Sequence, residues 1–321
     1  MKYRNLGRSA LKVSELCLGT MNFGPRTPEA DAFRILDEAT AAGVNFIDTA
    51  NQYGGHKGVG TTETILGRWL QQHRDQRDKL VIATKVYEPM SEDVNDRGLS
   101  ARHIIQACEA SLKRLNIDHI DLYQMHHFDR AAAMDEIWQA MDTLIQQGKI
   151  IYAGSSNFPG WVIAKTNENA RFNRRLGLVS EQSKFSLLER RIELEVLPAC
   201  RDFGVGVIAW SPLAGGLLAK PADHKNGRRS APEASAERAR LAEQLDAFVE
   251  LCDGLGHPPS RVALAWALHQ AGVTSIAIGP ATLSQLERAM TAVELQLSPE
   301  ILAQLDQIFP PCGEAPEAYA W

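Results

Sequence analysis

Four polar residues follow short apolar stretches of the chain and have side chains that could act together on a carbonyl group. Asp48 ends the stretch 44–47, and Tyr53 lies just beyond it in a glycine-rich loop. Lys85 and His126 end two later stretches, 80–84 and 120–125. If these stretches are buried strands, Asp48 needs a cation, because an unpaired buried carboxylate is costly. Lys85 supplies one, and the group as a whole predicts polar chemistry at a carbonyl.

Strand alternation predicts which face of each strand the polar residues occupy. Side chains two positions apart lie on the same face, so Asp48 is expected to share a face with Val44, and His126 with Gln124. The adjacent His127 falls on the opposite face. Only one of these faces can look into the barrel, and our hypothesis is that His126, and not His127, points its imidazole toward the Tyr53 hydroxyl.

Strands and helices alternate along the whole chain, and this order predicts an α/β fold with a parallel sheet. Eight such units close most simply into a (β/α)8 TIM barrel, whose sites lie at the carboxyl ends of the strands. We expect one domain, 1–321, with an N-terminal β-hairpin over 2–14 and extra helices at the C-terminus. The predicted strands are 16–19, 46–48, 80–85, 120–125, 150–155, 178–185, 205–210 and 275–278.

A doubly wound open sheet is the alternative fold, and it normally carries a glycine-rich turn after its first strand. The nearest match, 58–63, lacks the third glycine and follows a loop. We interpret it as the entry to a helix capped by Thr61 or Thr62. Ser100 is predicted to cap a later helix, and residues 220–236, rich in Pro, Gly, Ala and charge, to form a long surface loop.

Composition is typical of a globular protein, with 45% hydrophobic and 23% charged residues and a formal net charge of −5. That charge gives no reason to expect nucleic acid or a membrane as partner. The five cysteines form no CxxC pair, which argues against a disulfide framework and a structural zinc site. No apolar run approaches the roughly 20 residues that span a bilayer, and the N-terminus lacks a signal-peptide core. A cytoplasmic location is expected.

Short motifs follow one another at the predicted strand ends. They are FIDTA at 46–50 with Tyr53 and Gly54, ATK at 83–85, DLYQMH at 121–126, GSSNF at 154–158, Gln182, WSPL at 210–213, and IGP at 278–280 with Gln285 and Leu286. In this order the chain resembles the aldo-keto reductases over nearly its whole length. It looks like a bacterial member related to the branch that includes potassium-channel β-subunits.

The resemblance implies an oxidoreductase that reduces an aldehyde or ketone to an alcohol with NADPH. Asp48, Tyr53, Lys85 and His126 then match the catalytic tetrad, with Tyr53 as the general acid. A phenol has an ordinary pKa of about 10, and a nearby ammonium favours its phenolate. Lys85 can supply that charge, Asp48 can hold Lys85, and His126 can orient the carbonyl oxygen.

The resemblance also implies which residues hold NADPH/NADP+. Ser156, Asn157 and Gln182 match the groups around the nicotinamide carboxamide, and Trp210 matches the aromatic that stacks on the ring. Related members commonly have Glu and Asn where this chain has Arg288 and Ala289, so the family's Asn contact with adenine is missing and Arg288 adds a cation near the 2′-phosphate. The remaining expected contacts are Gly19, Thr20, Met21, Asp48, Ser211, Pro212, Leu213, Gly215, Lys220, Arg228, Arg229, Gly279, Ala281 and Gln285.

Less specific interpretations stay open beside these. Asp48 and Lys85 could be a structural ion pair, Trp210 a core residue, and Arg228 with Arg229 a solvated pair. Adjacent histidines suggest a metal, but no third ligand follows at a zinc-enzyme spacing, so none is predicted. The alternative function is a cofactor-sensing binding partner resembling potassium-channel β-subunits. The identity of the carbonyl substrate and the presence of a homo-oligomer are left open.

Overall fold

Two strands form an antiparallel hairpin and eight parallel strands close into a barrel in the computed structural model, which describes residues 1–219 and 232–315. The hairpin pairs β1 (Tyr3–Asn5) with β2 (Lys12–Ser14). The barrel strands are β3 (Leu16–Gly19), β4 (Phe46–Asp48), β5 (Val81–Val86), β6 (Ile120–Met125), β7 (Ile150–Ser156), β8 (Leu178–Lys184), β9 (Gly206–Trp210) and β10 (Val273–Ile278).

The barrel strands pair in chain order, and β10 closes the ring against β3. Helices connect successive strands, so the predicted (β/α)8 barrel with an N-terminal hairpin is confirmed and the open sheet is wrong. The helices are α1 (Glu29–Ala41), α2 (Thr61–Gln72), α3 (Ala101–Leu115), α4 (Met134–Gln146), α5 (Gly160–Phe172), α6 (Val196–Asp202), α7 (Pro232–Arg240), α8 (Ala242–Gly254), α9 (Pro259–His269), α10 (Leu283–Met290) and α11 (Pro299–Ile308).

Apolar side chains form two clusters that the barrel wall separates. Inside the barrel, alternate strand residues such as Phe46, Ala83 and Leu122 pack together with Leu6 and Val13 of the hairpin region. The larger cluster lies between the barrel and the surrounding helices. Side chains that point into the barrel near the carboxyl ends of the strands therefore lie directly above packed apolar residues. No helix in the described ranges is long and apolar enough to cross a membrane.

The N-terminal hairpin covers the amino end of the barrel, opposite the predicted site. Gly7 adopts a φ of +55°, and a Cβ there would lie 2.4 Å from the Val179 carbonyl oxygen. The next residue, Arg8, donates its backbone N–H to the Gly204 oxygen at 2.6 Å. Only glycine allows this conformation and this approach together. The hairpin closes that end, so access to the barrel is from the carboxyl ends of the strands.

Three local predictions differ from the structure: the cap of α2, the face that Val44 occupies, and the end of the loop 220–236. Gly60, in the left-handed conformation, precedes α2, and the Thr61 and Thr62 side chains do not cap it. Their hydroxyls donate instead to the carbonyl oxygens of Gly58 (2.7 Å) and Phe23 (3.2 Å), so that capping prediction is wrong. Val44 precedes β4 and packs in the outer cluster, so it does not share the inward face of Asp48.

The predicted cap of α3 is confirmed, because the Ser100 hydroxyl accepts the His103 backbone N–H at 3.2 Å. The predicted loop 220–236 is wrong at its end, where α7 begins at Pro232. Its earlier part, 220–231, lies outside the described residues.

Candidate active site

The barrel strands bring the four sequence-predicted polar residues to one end of the barrel. Asp48 is the last residue of β4, Lys85 is the penultimate residue of β5, and His126 directly follows β6. Strand pairing aligns Asp48 with Ala83 and Lys85 with Gln124. Each side chain continues the inward face of its strand, above the apolar interior.

Lys85 and Asp48 form a buried ion pair at the centre of this end. The Lys85 Nζ lies 2.6 Å from Asp48 Oδ2 and 2.8 Å from the Thr49 carbonyl oxygen, and the lysine side chain is fully buried. Burial by itself lowers the pKa of Lys85, but the Asp48 carboxylate and the Tyr53 hydroxyl outweigh burial and raise it above its ordinary value. Lys85 is therefore a fixed positive charge at neutral pH.

The ammonium of Lys85 also reaches the half-buried Tyr53. Its Nζ donates to the Tyr53 Oη at 3.4 Å and lies 5.0 Å from the centre of the phenol ring. A cation at this position favours negative charge on the phenol oxygen. Tyr53 therefore has a hydroxyl that can donate a proton, and Lys85 has the positive charge that would stabilise the resulting phenolate.

The second oxygen of Asp48 is held by two buried amides. Gln124 Nε2 and Gln182 Nε2 each donate to Asp48 Oδ1 at 3.0 Å. The sequence placed Gln124 on the inward face without giving it a role, and it predicted Gln182 as a cofactor contact. These bonds leave Asp48 fully paired in a site where an unpaired carboxylate would be unstable.

His126 lies beside Tyr53, with ring centres 5.9 Å apart in an edge-to-face arrangement. Burial, followed by the positive charge of Lys85 and by the neighbouring His127, lowers the pKa of His126 to about 2. The imidazole is therefore neutral at working pH, and it carries one N–H donor. His127 stacks on His126 at 5.0 Å and places its Nε2 3.0 Å from Glu88 Oε1. The structure thus brings His126, and not His127, to the tyrosine.

Predicted nicotinamide contacts form one hydrogen-bonded chain across the ends of β7, β8 and β9. Trp210 Nε1 donates to Asn157 Oδ1 at 3.1 Å, and Asn157 Nδ2 donates to the His126 carbonyl oxygen at 3.1 Å. Ser156 Oγ donates to the Gln182 carbonyl oxygen at 2.8 Å. Asn157 itself has a left-handed backbone conformation, with a φ of 58°. Asn157 and Trp210 are half-buried at the mouth of the barrel, and Ser156 and Gln182 are buried beside them.

The turn after β9 holds the next predicted contacts. Ser211 and Gly215 have φ values of 56° and 63°, and the Gly215 N–H donates to Ser211 Oγ at 3.1 Å. Leu213 is half-buried and Gly215 exposed, whereas Pro212 is buried and less able to meet a ligand. Left-handed turns of this kind gather backbone N–H groups that suit anions. Lys220, Arg228 and Arg229 lie outside the described residues.

The remaining predicted contacts lie where β10 and β3 end side by side. Gly279 is exposed, and its carbonyl oxygen accepts from Asn22 Nδ2 at 2.8 Å. The Ala281 N–H donates to Gln285 Oε1 at 2.7 Å, and Arg288, exposed on α10, donates to Ser284 Oγ at 3.0 Å. On the other side, the Thr20 hydroxyl donates to the Asp48 carbonyl oxygen at 3.0 Å, Gly19 ends β3, and Met21 is exposed. A band of predicted contacts thus follows the rim of the barrel from β7 to β3.

Glu181 is a buried carboxyl that the sequence did not single out. It alternates with Gln182 on β8, and its Oε1 accepts from the Phe158 N–H (3.1 Å) and the Ser183 hydroxyl (2.7 Å). Burial raises the pKa of Glu181 to about 7, although bonds from Ser155, Ser183 and two backbone N–H groups oppose the rise. The sequence did contain a signal for it, because an acidic residue stands inside a stretch that is predicted to be a buried strand. Its bond to Phe158 supports the turn that contains Asn157.

A closed parallel barrel with an Asp–Lys–Tyr–His group at its carboxyl end defines a (β/α)8-barrel oxidoreductase. The chain belongs to the aldo-keto reductase family, since the model of the Aldo/keto reductase family matches residues 15–309. The resemblance found in the sequence is thereby confirmed. The family reduces carbonyl groups and generally uses nicotinamide cofactors.

Three similar proteins cover almost the whole chain. The chain is 54% identical over 329 residues to the uncharacterized oxidoreductase YrpG of Bacillus subtilis, with 100% of each chain covered. It is 32% identical over 341 residues to the versiconal hemiacetal acetate reductase of Aspergillus parasiticus, covering 97% of this chain and 98% of that protein. It is 31% identical over 334 residues to a probable voltage-gated potassium channel subunit beta of Arabidopsis thaliana, covering 99% and 100%.

Proposed function

We propose that the protein reduces an aldehyde or ketone to an alcohol with NADPH, with Tyr53 as the general acid. The observation that carries this proposal is the contact of one buried ammonium, Lys85, with both Asp48 (2.6 Å) and the Tyr53 hydroxyl (3.4 Å). A structural ion pair alone gives no reason for the half-buried phenol to lie on the cation. The similarity to a protein named as a reductase, the versiconal hemiacetal acetate reductase, supports the same function.

The residues at the rim fit a nicotinamide dinucleotide. Amide and hydroxyl groups of Ser156, Asn157 and Gln182 suit a carboxamide, and the left-handed turn at 211–215 suits a pyrophosphate. Gly215 has no atom within 4 Å of the place where a Cβ would stand, so the backbone there is open to a ligand. A bound nicotinamide supplies the hydride for the reduction.

The side chains of this site then have separate tasks. Reduction of a carbonyl places negative charge on its oxygen, and the Tyr53 hydroxyl donates the proton that neutralises it. Lys85 stabilises the phenolate that remains, and Asp48 keeps Lys85 charged and in place. Neutral His126 donates a hydrogen bond to the carbonyl oxygen and orients it, which a charged imidazolium beside Lys85 would do at a higher electrostatic cost.

Replacing Tyr53 by phenylalanine tests the assignment. Tyr53→Phe removes the acid but keeps the ring, so kcat for a generic aldehyde should fall about 10²–10⁴-fold, while the Kd for NADPH measured by fluorescence should not change. Tyr87→Phe is the matched control, because Tyr87 contacts His127 at 5.2 Å between ring centres. It should keep kcat within a few-fold. A Tyr53→Phe variant as active as the parent would assign the acid elsewhere, and would leave carbonyl reduction itself standing.

A second candidate is a cofactor-sensing subunit with little turnover. The similarity to the potassium channel subunit beta of Arabidopsis thaliana over 99% of this chain favours it. The arrangement of Asp48, Tyr53, Lys85 and His126 does not separate the two functions, since binding and turnover use the same groups. Following NADPH oxidation over many turnovers with excess aldehyde separates them: oxidation that stops after one equivalent favours the sensor.

A further inference from the structure

Three side chains that commonly bind metals meet at the mouth of the barrel. The ligand atoms of Glu88, His126 and His127 all lie within 4.8 Å of one another. Val86 of β5 pairs with Met125 of β6, so the residues that follow each strand leave the barrel side by side. We propose that Glu88, His126 and His127 bind a Zn²⁺ ion, and that the bound ion blocks access of the carbonyl substrate to His126.

The donor set is one that Zn²⁺ accepts. Two imidazoles and one carboxylate form a three-ligand set that leaves a fourth position to water. His127 Nε2 and Glu88 Oε1 already lie 3.0 Å apart, close to the separation of about 3.3 Å for two ligands of a tetrahedral zinc ion. Their side chains are 41% and 28% exposed, so they can turn to bring all three donors to one ion.

Imidazole nitrogen is a common ligand of Zn²⁺, and His126 has one such nitrogen available. Its Nδ1 is buried and has no hydrogen-bond partner among the described residues, so that nitrogen is not committed to another group. The charge of nearby Lys85 is offset by Asp48 at 2.6 Å, and Glu88 adds negative charge for the ion.

The sequence argument missed this group because it looked for a third ligand at a regular spacing after the two histidines. Glu88 instead comes from the neighbouring strand end, far from His126 along the chain. Pairing of β5 with β6 makes the two ends adjacent, as it does for the predicted catalytic residues.

Inhibition follows if His126 orients the carbonyl, a step that rests on the proposed function. An imidazole that binds Zn²⁺ through Nδ1 keeps its Nε2–H, so the ion acts by occupying the mouth of the barrel beside His126, where the substrate must enter. Zn²⁺ should therefore compete with the aldehyde, raising its apparent KM with little change in kcat. Binding of NADPH should be affected much less, since none of its predicted contacts is Glu88, His126 or His127.

Calorimetric titration of the full chain with Zn²⁺ tests the site without any activity measurement. The titration uses a Cys312→Ser background, because Cys312 is the one exposed thiol of the five cysteines. One ion should bind per chain, and Glu88→Gln should weaken binding more than tenfold, since loss of even an outer-shell partner typically costs about 10–100-fold. His127→Asn should weaken it similarly.

His119→Asn is the matched control, because His119 Nε2 lies 3.6 Å from Asp121 Oδ1 without belonging to the three-ligand group. Equal Zn²⁺ affinity in the parent and Glu88→Gln, or an equal loss in His119→Asn, would overturn the proposal. In the kinetic arm, Zn²⁺ should inhibit the parent, and Glu88→Gln should lose that inhibition while keeping uninhibited turnover. If the parent shows no turnover, the proposed function fails, while the titration still decides the metal site.

Discussion

Among single residues, Asp48 is the group that connects the most strands of the site. Its carboxylate accepts from Lys85 on β5, Gln124 on β6 and Gln182 on β8. All four side chains are buried, so each bond forms where water cannot replace it. Removing any one partner of a buried charge is strongly destabilising, because the charge is then left without full compensation. The carboxylate therefore positions Lys85 and also fixes the three strand ends relative to one another.

Two buried groups should give the stability of the protein opposite dependences on pH. For His126, the pKa falls from 6.5 when unfolded to about 2 when folded. Below pH 6.5 the unfolded state binds a proton that the folded state does not, so the free energy of unfolding decreases as pH falls, by at most about 1.4 kcal/mol per unit. For Glu181, the pKa rises from 4.5 to about 7. Between these values the folded state keeps a proton that the unfolded state releases, so stability decreases as pH rises.

Urea unfolding of His126→Gln and Glu181→Gln between pH 4.5 and 6.5 checks this expectation. His126→Gln should make stability rise less with pH than in the parent, and Glu181→Gln should make it rise more. The parent is the control, and the comparison uses differences between curves, so other titrating groups cancel. Three parallel curves would show that neither group changes its protonation on unfolding in this range.

At the scale of elements, α2 and α3 cross closely at Gly67. A Cβ on Gly67 would lie 2.1 Å from the Arg114 carbonyl oxygen of α3. Helix propensity alone favours alanine over glycine by about 1 kcal/mol. The backbone contact should outweigh that preference, since overpacking typically costs about 1–3 kcal/mol.

Gly67→Ala should therefore lower the free energy of unfolding measured in urea. Gly254→Ala is the matched control, because Gly254 ends α8 and has nothing within 4 Å of the place of a Cβ. That variant should be neutral or more stable by up to about 1 kcal/mol. A Gly67→Ala variant as stable as Gly254→Ala would mean that the two helices separate at little cost.

The sequence predicted elements better than their ends and their contacts. Alternation of apolar stretches and helices predicted all eight barrel strands, because each pattern arises from burial of one face. The predicted cap of α2 was wrong because Gly60, in the left-handed conformation, occupies the position before the helix, and Thr61 and Thr62 are already helical residues with other partners. Strand alternation placed Asp48, Lys85 and His126 correctly. Glu88 and the double amide contact to Asp48 depend on strand order, which residue spacing along one chain does not contain.

At the scale of the whole molecule, the hairpin that closes the barrel and the predicted cofactor contacts lie at opposite ends. The hairpin and the interior cluster close the amino end, and the predicted cofactor contacts follow the opposite rim from β7 to β3. They come from five strand ends that are far apart in the chain, so the band exists only when the ring is closed. Changes to the rim loops should therefore alter ligand preference with little effect on the core.

Cofactor choice is the last prediction, and it depends on the charge of that rim. Arg288 is exposed on α10, next to the loop after β10 that is expected to meet the adenosine end. A guanidinium suits the 2′-phosphate of NADPH, which NADH lacks. The parent should therefore bind NADPH more tightly than NADH.

A hydrogen bond to a charged group contributes about 1.5–3 kcal/mol, so Arg288→Ala should weaken the binding of NADPH about tenfold or more and leave the binding of NADH unchanged. Arg102→Ala, exposed on α3 and bonded to Gln106, is the control and should change neither. Fluorescence titration of both cofactors measures this. A preference that survives Arg288→Ala would assign the 2′-phosphate to Lys220, Arg228 or Arg229, whereas equal affinities in the parent would mean that no 2′-phosphate site exists on this rim.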